Sequence, residues 1–396
     1  MDFQLSEEQR LLRDTLRDFA ERELKPRAHD VDASREFPWE HVRKVAALGL
    51  LGMSVPAEYG GSAADAVSYA IASEELARGC ASTATVFSAV NSLTAPPLVK
   101  FGTEAQKERW LPRLARGEIL GAFALSEPQA GSDAAALRTT AERSGGEWVL
   151  RGRKVFCTCG NVSGVTLVFA VTDPASGPHG ITAFLVDTKT PGYIVEKVEE
   201  KMGLHGSPTA SLVFEDLRVP DGDRLGAEGE GFKVALSTLD GGRISVAAMA
   251  TGIAQACLEE SVAYAKARVQ FGRPIADHEA IQWMLADMAT GIAASRLLVW
   301  RAAWRKDRGL PHTKEAAMAK LFATSHASRT ALKAVQVHGG YGYVKDYAVE
   351  RLFRDIKVYE IFEGTNEIQR IVIARQLGLG GGSQDDSYQR SYIGSR

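Results

Sequence analysis

The segment FALSEPQAGSDAA, Phe123–Ala135, is where the chain changes texture. It opens on a short apolar run and passes into E-P-x-A-G-S-D, a turn built from Pro, Gly, Ser and Asp. The amides and hydroxyls of such a turn suit the polar edge of a ligand, although most Gly-Ser turns bind nothing. WVLRGRKVFCT, GVTLVFAVTD, GITAFLVDT, GYIVEKV and TASLVFEDLRVP follow before Gly231, each rich in Val, Ile or Phe and bounded by Gly, Pro, Asp or Ser. That spacing predicts the strands of a small β-domain.

On either side the pattern is helical. Ser6 and Gln9 have the spacing of a capping box ahead of Leu11, Leu12, Leu16, Phe19 and Leu24, with Pro26 as the expected stop. FPWEHVRKVAALGLLGM, AVSYAIASEELARG and TEAQKERWLPRLARGE predict three further helices. After Gly231 the chain reads as long apolar-periodic helices from Gly231 to Val269, from Asp277 to Gly309 and from Thr313 to Gly340. Helices of that length pack as an antiparallel bundle. The expected domains are residues 1–121 (helical), 122–230 (β) and 231–379 (helical bundle), with 380–396 a flexible Gly/Ser-rich tail.

A chain of 396 residues exceeds what one core supports. Its 45% hydrophobic and 24% charged composition is that of a globular protein, and a net charge of −2 gives no reason to expect nucleic acid or an acidic membrane as partner. The charged N-terminus reads as neither a secretory signal nor a membrane span, and no apolar run reaches the roughly 20 residues a span needs. A cytoplasmic protein with no membrane association is the expectation. Cys80, Cys157, Cys159 and Cys257 are too few and scattered for a disulfide framework. Cys157 and Cys159 form a C-x-C without a second ligand pair, so no metal is expected. No G-x-G-x-x-G joins a strand to a helix and there is no P-loop, which argues against nicotinamide-dinucleotide or triphosphate binding.

KVFCTCG, KMGLHGSPTASLVFEDLRVP, RVQFGRP, QVHGGYGY and IFEGTNEIQR come in that order after the opening segment. As a set, from about Phe3 to Leu379, they resemble the acyl-CoA dehydrogenase family of flavoproteins. The resemblance implies an α+β fold class: an N-terminal helical domain, a middle β-domain and a C-terminal four-helix bundle, with FAD between the last two. Phe123, Leu125, Ser126, Gly131 and Ser132 match the segment that hydrogen-bonds the flavin ring and pyrophosphate. Ser132 also matches a substrate contact. Phe156, Cys157 and Thr158 match the strand on the other side of the isoalloxazine, where relatives often carry Trp in place of Phe156. Arg268 and Phe271 match residues that reach the FAD of a neighbouring subunit, and Gln336, Gly339 and Gly340 match the turn that receives its ADP half. Sharing of this kind implies a homo-oligomer, in this family usually a tetramer. Taken alone, HGGYGY reads equally well as a helix C-cap.

IFEGTNEIQR and the residues before it hold three carboxylates, Glu360, Glu363 and Glu367. Glu360 has Lys357 as an i, i+3 partner. Glu367 falls in the first turn of a predicted helix that Asn366 is placed to cap. Glu363 stands where regular structure breaks at Gly364 and Thr365, so its side chain can enter a cleft. The resemblance makes Glu363 the base that removes the α-proton of an acyl thioester, with its own amide donating to the thioester carbonyl. It makes Gly364, Asp240 and Arg243 substrate-side residues and Thr365, Asn366 and Glu367 FAD contacts. Asp240 and Arg243 also fit a surface ion pair at a helix start. Relatives that carry the base one residue before this arginine have a glutamate where this chain has Gly242. Ala84 stands where decarboxylating glutaryl-type members carry an arginine, so a neutral acyl chain is expected. His205 stands where many relatives carry a basic residue.

The resulting expectation is FAD-dependent α,β-dehydrogenation of an acyl-CoA, with electron-transfer flavoprotein as acceptor. An acyl-CoA oxidase and a catalytically silent acyl-CoA-binding flavoprotein remain open readings. VFSAVNSLTAPPL reads either as a short-to-medium acyl pocket or as core.

Overall fold

The structure is a computed structural model that describes residues 4–379; the tail expected to be flexible lies outside the described residues. Helix α1 (Glu7–Phe19) starts on the expected capping box: the Gln9 amide donates to the Ser6 hydroxyl and the Ser6 amide to the Gln9 side chain, each at 3.1 Å. Pro26 does not end the helical run. It sits at the start of a new turn, where a missing N–H leaves no acceptor wanting, and Ala20–Leu24 and Lys25–Arg27 carry the chain on into α2 (Ala28–Ser34). Helix α3 (Trp39–Ala47) is shorter than its pattern because Gly49 turns left-handed at φ 71°. Helices α4 (Ala66–Gly79), α5 (Ala81–Ser88), α6 (Ala95–Phe101) and α7 (Glu104–Ala115) complete the first part.

Strands β1 (Gly121–Ala124), β2 (Thr140–Ser144), β3 (Glu147–Thr158), β4 (Val165–Val171), β5 (Ile181–Asp187), β6 (Tyr193–Val198), β7 (Thr209–Pro220) and β8 (Arg224–Leu225) form one sheet. Its order is β6-β7-β3-β2-β4-β5-β8, with β1 parallel to β4. Strands β4 and β5 are buried along six of their seven residues, which explains their continuous apolar sequence.

Helix α8 (Gly231–Ala267) leads through the small hairpin of β9 (Val269–Gln270) and β10 (Arg273–Pro274) to α9 (Glu279–Asp307) and α10 (Thr313–His338). These three helices pack on one another, and α11 (Ala348–Ile356) and α12 (Asn366–Gln376) pack on α10. Helix α4 joins them by lying across α8 and α9. The approach is close: a Cβ on Gly252 would strike the Glu74 carbonyl. Among the described residues no helix is long and apolar enough to cross a membrane.

Candidate active site

The opening segment is fastened to β3. The Val155 amide donates to Ser126 O at 2.9 Å, Lys154 Nζ to Leu125 O at 3.2 Å and the Cys157 thiol to Phe123 O at 3.5 Å. These bonds set Phe123, Leu125 and Ser126 against the stretch of β3 that carries Phe156, Cys157 and Thr158. The anchor is an ion pair that the sequence reading missed. Lys154 and Glu127 are both buried and lie 2.8 Å apart. Glu127 also accepts the amides of Arg138 at 2.6 Å and Thr139 at 2.9 Å, which closes the loop carrying Gly131 and Ser132. Burial alone would push the Glu127 carboxyl up; the Lys154 charge and these hydrogen bonds hold it at about 2. Gly131 and Ser132 are exposed, and nothing lies within 4 Å of a Cβ on Gly131.

Phe156 sits in β3 at the register shift against β7 between Lys154 and Cys157, with φ 57°, and is 70% exposed. A bulky residue held left-handed with its ring in the open is strained, and such strain collects at functional sites. Phe271 repeats the signature in the β9–β10 turn, with φ 52° and 94% exposure. Arg268, Phe271, Gly339 and Gly340 line one cleft of about 760 Å³, with Tyr264 and Tyr341 in its wall. No side chain obstructs the turn at Gly339 and Gly340, and Gln336 is exposed one turn earlier.

The three glutamates separate cleanly. Glu360 pairs with Lys357 at 2.7 Å. Glu367 is exposed in the first turn of α12, where its own amide and the Thr365 hydroxyl hold its carboxyl below the usual range. Glu363 has φ 53°, and its Oε2 is shut off from solvent without a hydrogen-bond partner. Burial pushes its carboxyl up to about 7 against the opposing charges of Lys320 and Arg243. The expectation for Asn366 is corrected: the N-cap of α12 is Thr365, whose hydroxyl accepts the Ile368 amide at 3.3 Å. Asn366 is instead buried, accepting from Lys320 and Thr324 at 3.0 Å each and donating to Ser325. The side chain faces α10, so it is committed to packing the helix and has no reach to the α12 terminus.

Asp240 and Arg243 lie well inside α8, not at its start, and both are buried, so a surface ion pair does not describe them. They are 2.5 Å apart, Asp240 also accepts from Thr313 at 2.7 Å, and Arg243 Nε has no partner. Gly242 faces the glutamate: a Cβ there would collide with Glu363 Oε2. Beyond it, Ser245 on α8 meets Ser88 on α5 at 3.0 Å, and Val86–Val90 are buried, so this part of the open pocket-or-core stretch packs in the interior. Ala84 is fully buried. His205 bonds the backbone of Asp32 and Lys201. Cys157 and Cys159 are buried free thiols.

Three family models match in chain order: the acyl-CoA dehydrogenase N-terminal domain over residues 6–118, the middle domain over 122–217 and the C-terminal domain over 229–378. The chain belongs to the acyl-CoA dehydrogenase family. An acyl-CoA dehydrogenase of Bacillus subtilis is 50% identical over 95% of this chain and 99% of that protein. Butyryl-CoA dehydrogenase of Megasphaera elsdenii superposes with a TM-score of 0.93 at 45% identity, covering 95% of this chain and all of that one. A chain in a structure described as the electron transferring flavoprotein of Acidaminococcus fermentans matches with a TM-score of 0.94 at 46% identity, over 96% of this chain and 100% of its own. The three-domain acyl-CoA dehydrogenase architecture accounts for the helical first part, the sheet and the bundle described above.

Proposed function

We propose that this acyl-CoA dehydrogenase removes the α-proton and the β-hydride of a short, neutral acyl-CoA to give the 2-enoyl-CoA, with Glu363 as the base. One observation carries the assignment. Of the three neighbouring glutamates, only Glu363 combines an unpartnered, solvent-shielded carboxylate oxygen with a proton affinity raised to about 7. A general base works best with a pKa near the operating pH.

The residues present fit an FAD. The bare ring of Phe156, the open turn at Gly131 and Ser132, and the half-buried Phe123, Ser126 and Thr158 leave a polar edge and an aromatic face for a flavin, with Leu125 and Cys157 buried behind them. Thr365, Asn366 and Glu367 would border it. Arg268, Phe271, Gly339 and Gly340 line a second cleft, with Gln336 exposed one turn before it, suited to a dinucleotide half from a neighbouring subunit, because glycine lets backbone approach a phosphate. This reading makes the protein a homo-oligomer, a tetramer as in its family, and puts exposed Phe271 at the contact. When bound, the flavin supplies the acceptor for the hydride. Glu363 takes the proton, its amide donates to the thioester carbonyl, and Ser132, Asp240, Arg243 and Gly364 border the substrate. The match to a chain from the Acidaminococcus structure supports electron-transfer flavoprotein as the acceptor.

The test is anaerobic mixing of the yellow protein with straight, branched, cyclic and dicarboxylic acyl-CoAs while the flavin band is followed. Bleaching by butyryl-CoA is expected, with Glu363→Gln slower by about 10²–10⁴-fold at unchanged flavin content. Near-normal bleaching by that variant would sink the base assignment. Rapid oxygen consumption in air would make the protein an oxidase.

A further inference from the structure

Glu363 and Gly364 are consecutive left-handed residues, φ 53° and 86°. A turn of this kind persists only when its surroundings over-determine it. Two side chains converge on the Gly364 carbonyl: Gln369 Nε2 from α12 at 2.7 Å and Lys320 Nζ from α10 at 2.9 Å. Lys320 also donates to Asn366 Oδ1 at 3.0 Å and is fully buried. It stands on the apolar stripe of α10, in register with Ala316, Ala323, Ala327 and Ala331. A lysine there is expensive unless its charge is used; burial draws Lys320 down to about 8, opposed by the Glu363 charge, so its ammonium is present through the range in which Glu363 ionises and is lost above it.

The hydrogen bonds of Lys320 are duplicated. Gly364 O keeps Gln369 and Asn366 Oδ1 keeps Thr324 if the amine is removed. What has no substitute on α10 is the charge. We infer that Lys320 is a positioning residue for the base: its buried ammonium holds the Glu363–Gly364 turn from behind and sets the pH range in which Glu363 is ionised. The inference rests on Glu363 being the base. The other charged and titratable groups that face the pair are Arg243 on α8, Glu360 ahead of the turn, Glu367 on α12, Tyr69 on α4 and Tyr359. Arg243 is tied to Asp240, Glu360 to Lys357, and Glu367 is in solvent. Of the two charges that oppose the rise at Glu363, Lys320 has the larger effect and Arg243 the smaller.

The experiment measures flavin reduction by butyryl-CoA in the holoenzyme from pH 5.5 to 9.5 for the wild type, Lys320→Met, Lys320→Gln and Glu363→Gln. The rate should rise with pH as the base loses its proton. In Lys320→Met the midpoint of that rise should move up by about 1 unit or more, the size expected for loss of a nearby opposite charge, with KM changed little beside kcat. Lys320→Gln can restore a donor to the turn, so its plateau rate should recover while its midpoint stays high. A uniform loss of rate with an unmoved midpoint in both variants would overturn the inference and leave Lys320 a packing residue. Failure of both variants to fold with flavin would overturn it too, because the duplicated hydrogen bonds predict that they fold. If Glu363→Gln itself reduces flavin normally, the base assignment falls instead.

Discussion

A methyl group placed on Gly242 would run into the carboxylate of Glu363. The two residues come from different elements, the middle of α8 and the turn before α12, and they compete for one volume. Glycine at 242 is what gives the base its room.

Gly242→Ala therefore isolates positioning from folding. Alanine is favoured over glycine in a helix by about 0.5–1 kcal/mol, so the helix itself does not suffer. The displaced carboxylate should lower the rate of flavin reduction by about 10²-fold, the penalty for a misplacement near 1 Å. Stopped-flow reduction by butyryl-CoA, with flavin content as the control, checks this. An unchanged rate would mean that Glu363 works from another rotamer.

The raised carboxyl of Glu363 makes a stability prediction with a definite sign. Its folded pKa of about 7 lies above the ordinary 4.5, so stability falls as pH rises from 4.5 to 7, and the full penalty is present above 7. Glu363→Gln lacks the penalty. At pH 8 it should be more stable than the wild type by up to about 3 kcal/mol, and near pH 4 by little. Denaturant midpoints at the two pH values decide it; equal gains at both would show that packing and not ionisation is responsible.

The Lys154–Glu127 pair predicts the opposite slope. With Glu127 held at about 2 against 4.5, its contribution is complete above pH 4.5 and is lost as pH falls toward 2. Lys154→Met would strand a buried carboxylate and should cost about 3–5 kcal/mol. It should also loosen flavin, since the same pair closes the Gly131–Ser132 loop. Thermal melts combined with flavin release measure both effects, and retention of full flavin affinity would separate the anchor from the site.

Phe271 is 94% exposed on one protomer and so adds little to its core. Phe271→Ala should leave the secondary structure intact while lowering both the sedimenting mass and the flavin-to-protein absorbance ratio. A variant with unaltered mass and flavin would remove Phe271 from any subunit contact.

Much of this was legible beforehand because local rules and tertiary packing agree. The capping box at Ser6 and Gln9, the limits of α4 and the long strands all sit where side-chain chemistry and periodicity place them. Disagreement arose where a partner distant in sequence decides the outcome. Asn366 is a good N-cap by residue type, yet Lys320 and Thr324 recruit its side chain and Thr365 caps instead. For Asp240 and Arg243 a surface pair stays open as the alternative until α8 is seen to be buried around them. Lys320 and Lys154 left a visible trace, a lysine on an apolar stripe and a lysine inside a strand; neither could be interpreted without the carboxylate or carbonyl it serves.

The four thiols offer a use unconnected with chemistry. Cys80, Cys157, Cys159 and Cys257 are all buried and unpaired, and burial pushes every one of them up, away from the reactive thiolate. Cys80 falls within the span of the N-terminal family model, Cys157 and Cys159 within the middle one and Cys257 within the C-terminal one. The folded chain should thus be silent to alkylating reagents, and it carries a reporter in each of its three family domains. The order in which those reporters become modified during gentle denaturation would trace which part of the molecule opens first, with no label introduced.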